Sequence, residues 1–168
     1  SSNGSYLFVL GQADDSQFCV YKINPSNLTL LSCQSMGFLF YGIKSSSFVD
    51  FDIVQINASI FEVLLMESGF GIWSLKITIS DDQEVNYSEL SSFQSSGIFP
   101  YNFRQGNLTG LTIQNCTSQS GDAKDFTCVL FLISSSYQSF MVSWSSSQGF
   151  VQVLQTFNPV ANYTILGY

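Results

Sequence analysis

The sequence predicts an all-β protein made of repeated four-stranded antiparallel units, and three observations support this prediction. The composition disfavours helix, because the 168 residues include four alanines and four lysines against many Ser, Val, Ile, Thr and aromatic side chains. Short apolar runs are separated by polar turn clusters, which is typical of strands joined by tight turns. A segment of the chain also recurs at a fixed offset. Short strands with close turns form antiparallel meanders.

Nine of the predicted strands form three meanders of three strands each. One copy of the recurring segment, defined in the next paragraph, stands before the second meander and one before the third. The predicted strands are Tyr6–Leu10, Gln17–Ile23 and Leu28–Cys33; Ile60–Met66, Gly71–Ile79 and Val85–Ser92; and Thr127–Ile133, Ser139–Trp144 and Phe150–Thr156.

The repeated segment is Gly37–Gln55, which aligns without a gap on Gly97–Asn115 at an offset of sixty. The identical pairs are Gly37/Gly97, Tyr41/Tyr101 and Ile53/Ile113. Each copy supplies one inner strand ahead of a meander. The sequence therefore predicts one all-β repeat domain with units at 1–36, 37–96 and 97–157, and with the start of a further unit at 158–168.

A rival register pairs Phe140–Trp144 with the first strand of a meander and aligns Asn158–Thr164 with Asn24–Thr29. It leaves the apolar run Thr127–Ile133 outside the repeat. We prefer the first register, in which Thr117–Phe126 is an insertion.

A four-stranded antiparallel unit of this length resembles the blade of a β-propeller. The chain contains no WD dipeptide and no paired-glycine kelch signature, so the resemblance indicates no particular propeller family. Propellers usually close with about four to eight blades, and this chain has fewer. The resemblance implies either that the chain is a fragment of a longer propeller or that copies of it complete one another head to tail. A β-sandwich is the alternative.

Seven of the ten asparagines stand in N-glycosylation sequons, although Ser and Thr fill only 37 of the 168 positions. Chance would place about two of ten asparagines in such a pattern. The excess predicts an N-glycosylated protein that is secreted or displayed at the cell surface. The sequon asparagines are Asn3, Asn27, Asn57, Asn86, Asn107, Asn115 and Asn162.

The four cysteines predict the same compartment. Cys19 and Cys33 flank the turn at Asn24–Asn27, so a hairpin would bring them face to face. Cys116 and Cys128 flank another polar stretch. Of the three possible connectivities, we predict Cys19–Cys33 and Cys116–Cys128 because both loops are local. Four reduced, buried thiols are the alternative, and no cysteine spacing indicates zinc.

Charge and composition exclude several classes of function. Five basic and twelve acidic residues give a net charge of −7, which argues against nucleic acid as a partner. No apolar run approaches the roughly 18 residues of a membrane-spanning helix, so we expect no membrane insertion. The chain has no histidine, the usual general base and the commonest metal ligand. We therefore expect no enzyme and no cofactor besides N-linked glycans.

Carboxylates are the only candidates for catalysis or metal binding. Asp50 and Asp52 alternate along one strand and share a face, as the acid pair of a glycosidase would. Their counterparts in the second copy are Gly110 and Thr112, so we predict that the fold does not need them. The turn residues Asp14-Asp15 and Asp81–Glu84 could collect oxygen ligands for calcium, although polar turns usually bind no metal.

Aromatic and basic residues suggest packing more than binding. Trp73 and Trp144 stand in the middle strands of their meanders, where core packing is the default and stacking on sugars is the alternative. Lys44 and Arg104 recur beside Tyr41 and Tyr101, which suggests a cation–π or main-chain contact between units.

These features predict a non-enzymatic extracellular glycoprotein module with a structural or adhesive role. It would assemble through the edges of its repeats, with other copies of itself or further repeats of the same protein as partners. A lectin-like or receptor-type module that binds glycans is the second hypothesis, and a carboxylate-dependent glycosidase is the third.

Overall fold

A computed structural model describes residues 5–11, 17–35, 48–67, 71–94, 108–118, 126–134 and 138–157. Within these ranges the regular structure consists of eleven β-strands. The strands are β1 Ser5–Gly11, β2 Gln17–Ile23, β3 Leu28–Ser35, β4 Phe48–Gln55, β5 Ile60–Glu67, β6 Gly71–Ile79, β7 Val85–Gln94, β8 Leu108–Ser118, β9 Phe126–Ser134, β10 Ser139–Ser145 and β11 Gly149–Phe157. No helix that could span a membrane occurs in these ranges.

The strands form three antiparallel sheets in which sequence neighbours are spatial neighbours. Sheet I contains β1, β2 and β3; sheet II contains β4 to β7; and sheet III contains β8 to β11. The prediction of an all-β fold with repeated four-stranded antiparallel units is confirmed. The preferred register is also confirmed, because the run Thr127–Ile133 is part of β9 and pairs with β8.

The repeat is visible in the backbone as well as in the sequence. In sheet II the pairing of β4 with β5 skips Val49, between Phe48 and Asp50. In sheet III the pairing of β8 with β9 skips Thr109, between Leu108 and Gly110. The two bulges are sixty residues apart, which is the offset of the sequence repeat. A bulge bends its strand at a chosen place, so both inner strands bend at the same position of the unit.

Two apolar cores separate the three sheets. The first lies between sheets I and II and includes Phe18, Val20, Val63, Leu65 and Ile77. The second lies between sheets II and III and includes Leu64, Met66, Leu130, Val142 and Trp144. Sheet II is therefore the middle layer and is covered on both faces.

Strand β5 shows in its sequence why it lies in the middle. Its residues Phe61–Met66 are all buried, with alternate side chains entering the two cores. Strand β1, in an outer layer, instead alternates between exposed and half-buried residues. A nearly continuous apolar run fits a strand buried on both faces, and alternation fits a strand with one face in solvent. The arrangement fits part of a propeller and also a sandwich-like stack.

Candidate sites: inter-sheet ties, the sequon end and the outer faces

Asp50 and Asp52 of β4, the first strand of sheet II, bind to β8, the first strand of sheet III. Oδ2 of Asp50 accepts a hydrogen bond from the backbone N–H of Leu111 at 2.8 Å, and Oδ2 of Asp52 accepts one from Ile113 at 2.7 Å. The other oxygen of each carboxylate accepts the backbone N–H of the residue that follows it. The two carboxylates take the place of a neighbouring strand for the N–H groups on this edge of β8.

The prediction that the fold does not need Asp50 and Asp52 did not anticipate these contacts with the next sheet. The counterparts Gly110 and Thr112 carry no carboxylate, whereas the carboxylates of the first copy bind main-chain N–H groups of the second. Both oxygens of each carboxylate are already engaged with main-chain N–H groups. That arrangement suits a structural tie better than proton transfer to a glycosidic bond.

The two contacts also fix the direction of β8. Because the acceptors advance from Asp50 to Asp52 as the donors advance from Leu111 to Ile113, β8 runs parallel to β4. The β8 residues that follow Ile113 therefore lie toward the same end of the stack as the end of β4 and the β4–β5 turn.

Ring contacts set the direction of sheet I. The ring centroid of Tyr6, near the start of β1, lies 5.6 Å from that of Phe61 at the start of β5. The ring centroid of Phe18, toward the opposite end of sheet I, lies 5.6 Å from that of Phe51 in β4. Strands β1 and β5 therefore start at the same end of the stack. The β2–β3, β4–β5 and β6–β7 turns all lie at that end, which we call the sequon end.

Four predicted glycosylation sites fall within the described residues, and all four are exposed. Asn27 closes the β2–β3 turn, Asn57 lies in the β4–β5 turn, and Asn86 is the second residue of β7. Asn115 lies toward the same end, in β8. The structure thus gathers sequons from all three sheets at the sequon end. Asn3, Asn107 and Asn162 lie outside the described residues.

The turn at Asn57 uses the side-chain oxygen and not the nitrogen that carries an N-linked glycan. Oδ1 of Asn57 accepts hydrogen bonds from the backbone N–H groups of Ser59 and Ile60, both at 2.9 Å. Such an Asx turn orders the backbone without consuming the amide nitrogen. The sequon is therefore compatible with the native turn.

Both predicted disulfides are present. Cys19 and Cys33 are directly opposite each other on β2 and β3, and Cys116 and Cys128 are opposite on β8 and β9. Each bond joins adjacent strands of one sheet, as the hairpin argument predicts. Two disulfides indicate an oxidising compartment, which in most organisms means outside the cytosol.

A buried polar pair lies in the middle sheet. Glu62 is 8% exposed, and its Oε1 accepts a hydrogen bond from the hydroxyl of Ser74 on the adjacent strand β6. Burying a carboxyl group is costly unless it is hydrogen-bonded. The pattern of β5 alone did not reveal this pair, because only the pairing register places the two residues near each other.

Tyr87 connects sheets I and II. Its hydroxyl donates a hydrogen bond to Oγ of Ser32 at 2.9 Å, from β7 to β3. Burial raises the pKa of Tyr87 above its ordinary value of 10.0, and the hydrogen bond to Ser32 offsets part of that rise.

The acidic turn Asp81–Glu84 is an exposed tight turn. Ser80 closes it, because the carbonyl of Ser80 accepts the N–H of Gln83 at 2.9 Å and its hydroxyl accepts the N–H of Glu84 at 3.0 Å. In the described part of the chain, no group of three or more metal-ligating side chains comes together. The other calcium candidate, Asp14-Asp15, lies outside that part.

The two tryptophans pack in or against the cores. Trp144 is fully buried between sheets II and III, and Trp73 is half-buried against the core between sheets I and II. Core packing, the default expectation, holds for Trp144, so it offers no flat face to a sugar. The proposed contacts of Lys44 and Arg104 with Tyr41 and Tyr101 lie outside the described residues, as does the start of a further unit at 158–168.

The outer faces of sheets I and III expose large apolar side chains. Those of sheet I are Leu7, Val9, Ile23, Leu28 and Leu30. Those of sheet III are Ile133 and Phe157, and Val151 and Leu154 of the edge strand β11 are also exposed, at positions that the pairing with β10 skips. The two sets lie at opposite ends of the layered stack, because sheet II separates the sheets that carry them.

Comparison of the chain with protein-family models, with curated proteins and with solved structures gives no match.

Proposed function

We propose that this chain is an extracellular, N-glycosylated structural module that joins like units into a larger assembly and is not an enzyme. The observation that carries the proposal is the pair of apolar outer faces, on sheet I and on sheet III. Soluble monomers rarely expose large contiguous apolar patches, and such patches are typical of interaction sites.

The distribution of sequons supports the extracellular part of the proposal. Four exposed sequons at one end of a disulfide-bonded fold are typical of a secreted or surface-displayed chain. Glycans there would supply hydration that the protein lacks, since only 10% of its residues are charged. They would also leave the outer faces of sheets I and III available for contact.

The use of the carboxylates supports a structural role over catalysis. A glycosidase needs a carboxyl group that protonates the leaving oxygen and a second carboxylate that attacks or activates water. Asp50 and Asp52 are instead engaged by backbone N–H groups of two strands.

The experiment that tests this proposal is secretion from a eukaryotic host, followed by intact mass measurement without reductant, before and after enzymatic removal of N-glycans. We expect a mass loss on deglycosylation and a protein mass four hydrogen atoms below that of the reduced chain. Light scattering of the glycosylated protein should show assemblies larger than one chain. Bare asparagines or free thiols would refute the extracellular assignment, and a monomer at all concentrations would refute the assembling role.

A further inference from the structure

We propose that the outer face of sheet I in one copy of this chain packs on the outer face of sheet III in a second copy, so that copies join head to tail. This inference rests on the assembling role proposed above and names the surfaces and the partner. It replaces contact through strand edges with contact between sheet faces.

Strand β9 in sheet III corresponds residue by residue to β5 in sheet II. Phe48 pairs with Glu67 and its counterpart Leu108 pairs with Ser134, so Glu67 and Ser134 hold equivalent places. Counting back along the strands, Ile133 holds the place of Met66 and Phe131 the place of Leu64.

In sheet II, the places of Leu64 and Met66 are covered by sheet III. Leu64 and Met66 are both 0% exposed, because sheet III packs on that face. Ile133, in the place of Met66, is 41% exposed. The outer face of sheet III is therefore the counterpart of a face that, one unit earlier, is covered by a sheet of the same fold.

The outer face is apolar beyond Ile133. Phe131 contacts Phe157 of β11 with ring centroids 5.8 Å apart. Met141 is paired with Phe131 across β9 and β10 and shares its face. These side chains form an apolar cluster on one side of the sheet, where Ser139 lies between Ile133 and Phe157 and Gln155 lies beside Met141.

Sheets II and III pack on the preceding sheet through equivalent sides. Sheet II covers sheet I with the side that carries Val63 and Leu65, and sheet III covers sheet II with the equivalent side, which carries Leu130 and Leu132. Each sheet thus presents the same side to the sheet before it.

In sheet I the corresponding side faces outward. Sheet I packs on sheet II through Tyr6, Phe8 and Leu10, and its other side carries the exposed Leu7 and Val9. The strands of sheet I run in the same direction as their counterparts, since Tyr6 contacts Phe61 at the start of β5. The outer side of sheet I is therefore equivalent to the side of sheet III that covers sheet II. One unit later, a surface of this kind would cover the outer face of sheet III.

Sheet I of a second copy is the partner that supplies this surface. Leu28 and Leu30 of β3 extend it, at 54% and 52% exposure, and Ile23 lies beside Leu28 in the same register. A contact between two different faces of identical chains is heterologous, and it closes into a ring or continues as a filament according to the rotation at each step.

Complementary blocking variants test this inference. Leu30→Arg places a charge on the outer face of sheet I, and Ile133→Arg places one on the outer face of sheet III. Gln55→Arg, at an exposed position at the sequon end, is the matched control. Leu30→Ser and Ile133→Ser form a milder second pair if either arginine variant loses its circular dichroism spectrum or its thermal transition.

The wild type and Gln55→Arg should increase in mass with concentration in sedimentation velocity experiments. Each blocking variant alone should remain a monomer. An equimolar mixture of Leu30→Arg and Ile133→Arg should form dimers and nothing larger, because one intact face of each kind is then available. The mixture is the decisive sample, since no contact between identical faces gives this result.

Four outcomes would overturn the inference. Dimers of Leu30→Arg alone would show that sheet III pairs with itself, and dimers of Ile133→Arg alone would show that sheet I does. Assembly that persists in both variants would show that other surfaces join the copies, which leaves the proposed assembling role intact. A wild-type protein that stays monomeric while it is glycosylated and disulfide-bonded would refute both this inference and the assembling role.

Discussion

The carboxylate of Asp52 accepts the backbone N–H of Ile113, and Ile113 is the repeat counterpart of Ile53, the residue that donates to the other oxygen of the same carboxylate. One side chain thus receives the same main-chain group from two successive copies of the repeat. The inner strands of neighbouring sheets are joined through this side chain and through Asp50, which repeats the arrangement two residues earlier.

Removal of either carboxylate should destabilise the fold. We expect Asp50→Ala or Asp52→Ala to lower the free energy of unfolding by about 1.5–3 kcal/mol, the usual range for a hydrogen bond to a charged group. The double variant should lose less than the sum, because both residues join the same two strands. Urea unfolding measures the effect.

Asp82→Ala is the control for these variants, because it removes one carboxylate from an exposed turn. It should change the free energy of unfolding by no more than about 0.5 kcal/mol. Equal effects of Asp52→Ala and Asp82→Ala would show that the ties to β8 contribute nothing beyond charge.

Each disulfide should stabilise the fold by a similar amount. The linked cysteines are 14 and 12 residues apart in sequence, and closing a loop of this size contributes about 3 kcal/mol. We expect the double variants Cys19→Ala/Cys33→Ala and Cys116→Ala/Cys128→Ala each to lower the free energy of unfolding by about that much in denaturant titrations. A double variant that is as stable as the wild type when both are measured without reductant would contradict the prediction.

Stability should decrease at alkaline pH through Tyr87. The native state binds the hydroxyl proton of Tyr87 more tightly than the unfolded chain, since burial raises its pKa above 10.0. This contribution is fully present below the unfolded pKa and is lost as the pH rises through the native pKa.

Tyr87→Phe should therefore be less stable than the wild type at about pH 8, by about 1 kcal/mol for the lost hydrogen bond to Ser32. The difference should narrow at about pH 11, where only the wild type has a buried hydroxyl to ionise. Chemical unfolding of both proteins at the two pH values measures it. A constant difference would show that Tyr87 does not couple folding to pH.

The sequon at Asn57 allows glycosylation and folding to be separated. Ser59→Ala destroys the sequon but keeps the backbone N–H that donates to Asn57. It should remove one N-glycan from the secreted protein, as measured by intact mass, with little change in the stability of the deglycosylated chain. Asn57→Gln should remove the same glycan and also cost about 0.5–2 kcal/mol, since the Asx turn loses its acceptor. Unchanged glycan mass in both variants would show that Asn57 is not occupied.

Much of the fold could be predicted from the sequence, because turn residues and apolar runs are local signals. β2 and β6 begin and end at the predicted residues, Gln17–Ile23 and Gly71–Ile79, since polar turn clusters bound both runs. The disulfides could be predicted because hairpin pairing places Cys19 opposite Cys33. These predictions needed only the order of residues within one meander.

The contacts between sheets could not be predicted in the same way. Nothing in the pattern of β4 shows that Asp50 reaches Leu111, because the distance between neighbouring sheets is set by the packing of side chains from both. The buried position of Glu62 and the contact of Tyr87 with Ser32 depend on the same packing. Alternation along a strand indicates which residues share a face but not which other sheet covers that face.

Because sheets I, II and III each bring at least one glycan acceptor to the same end, the number of attached sugars would grow in step with the number of layers. Packed sheets stand about 10 Å apart, so sugars on the described acceptors would form a row at that spacing along the sequon end of any continuous stack. A polymer of such chains would carry this row of sugars along its whole length.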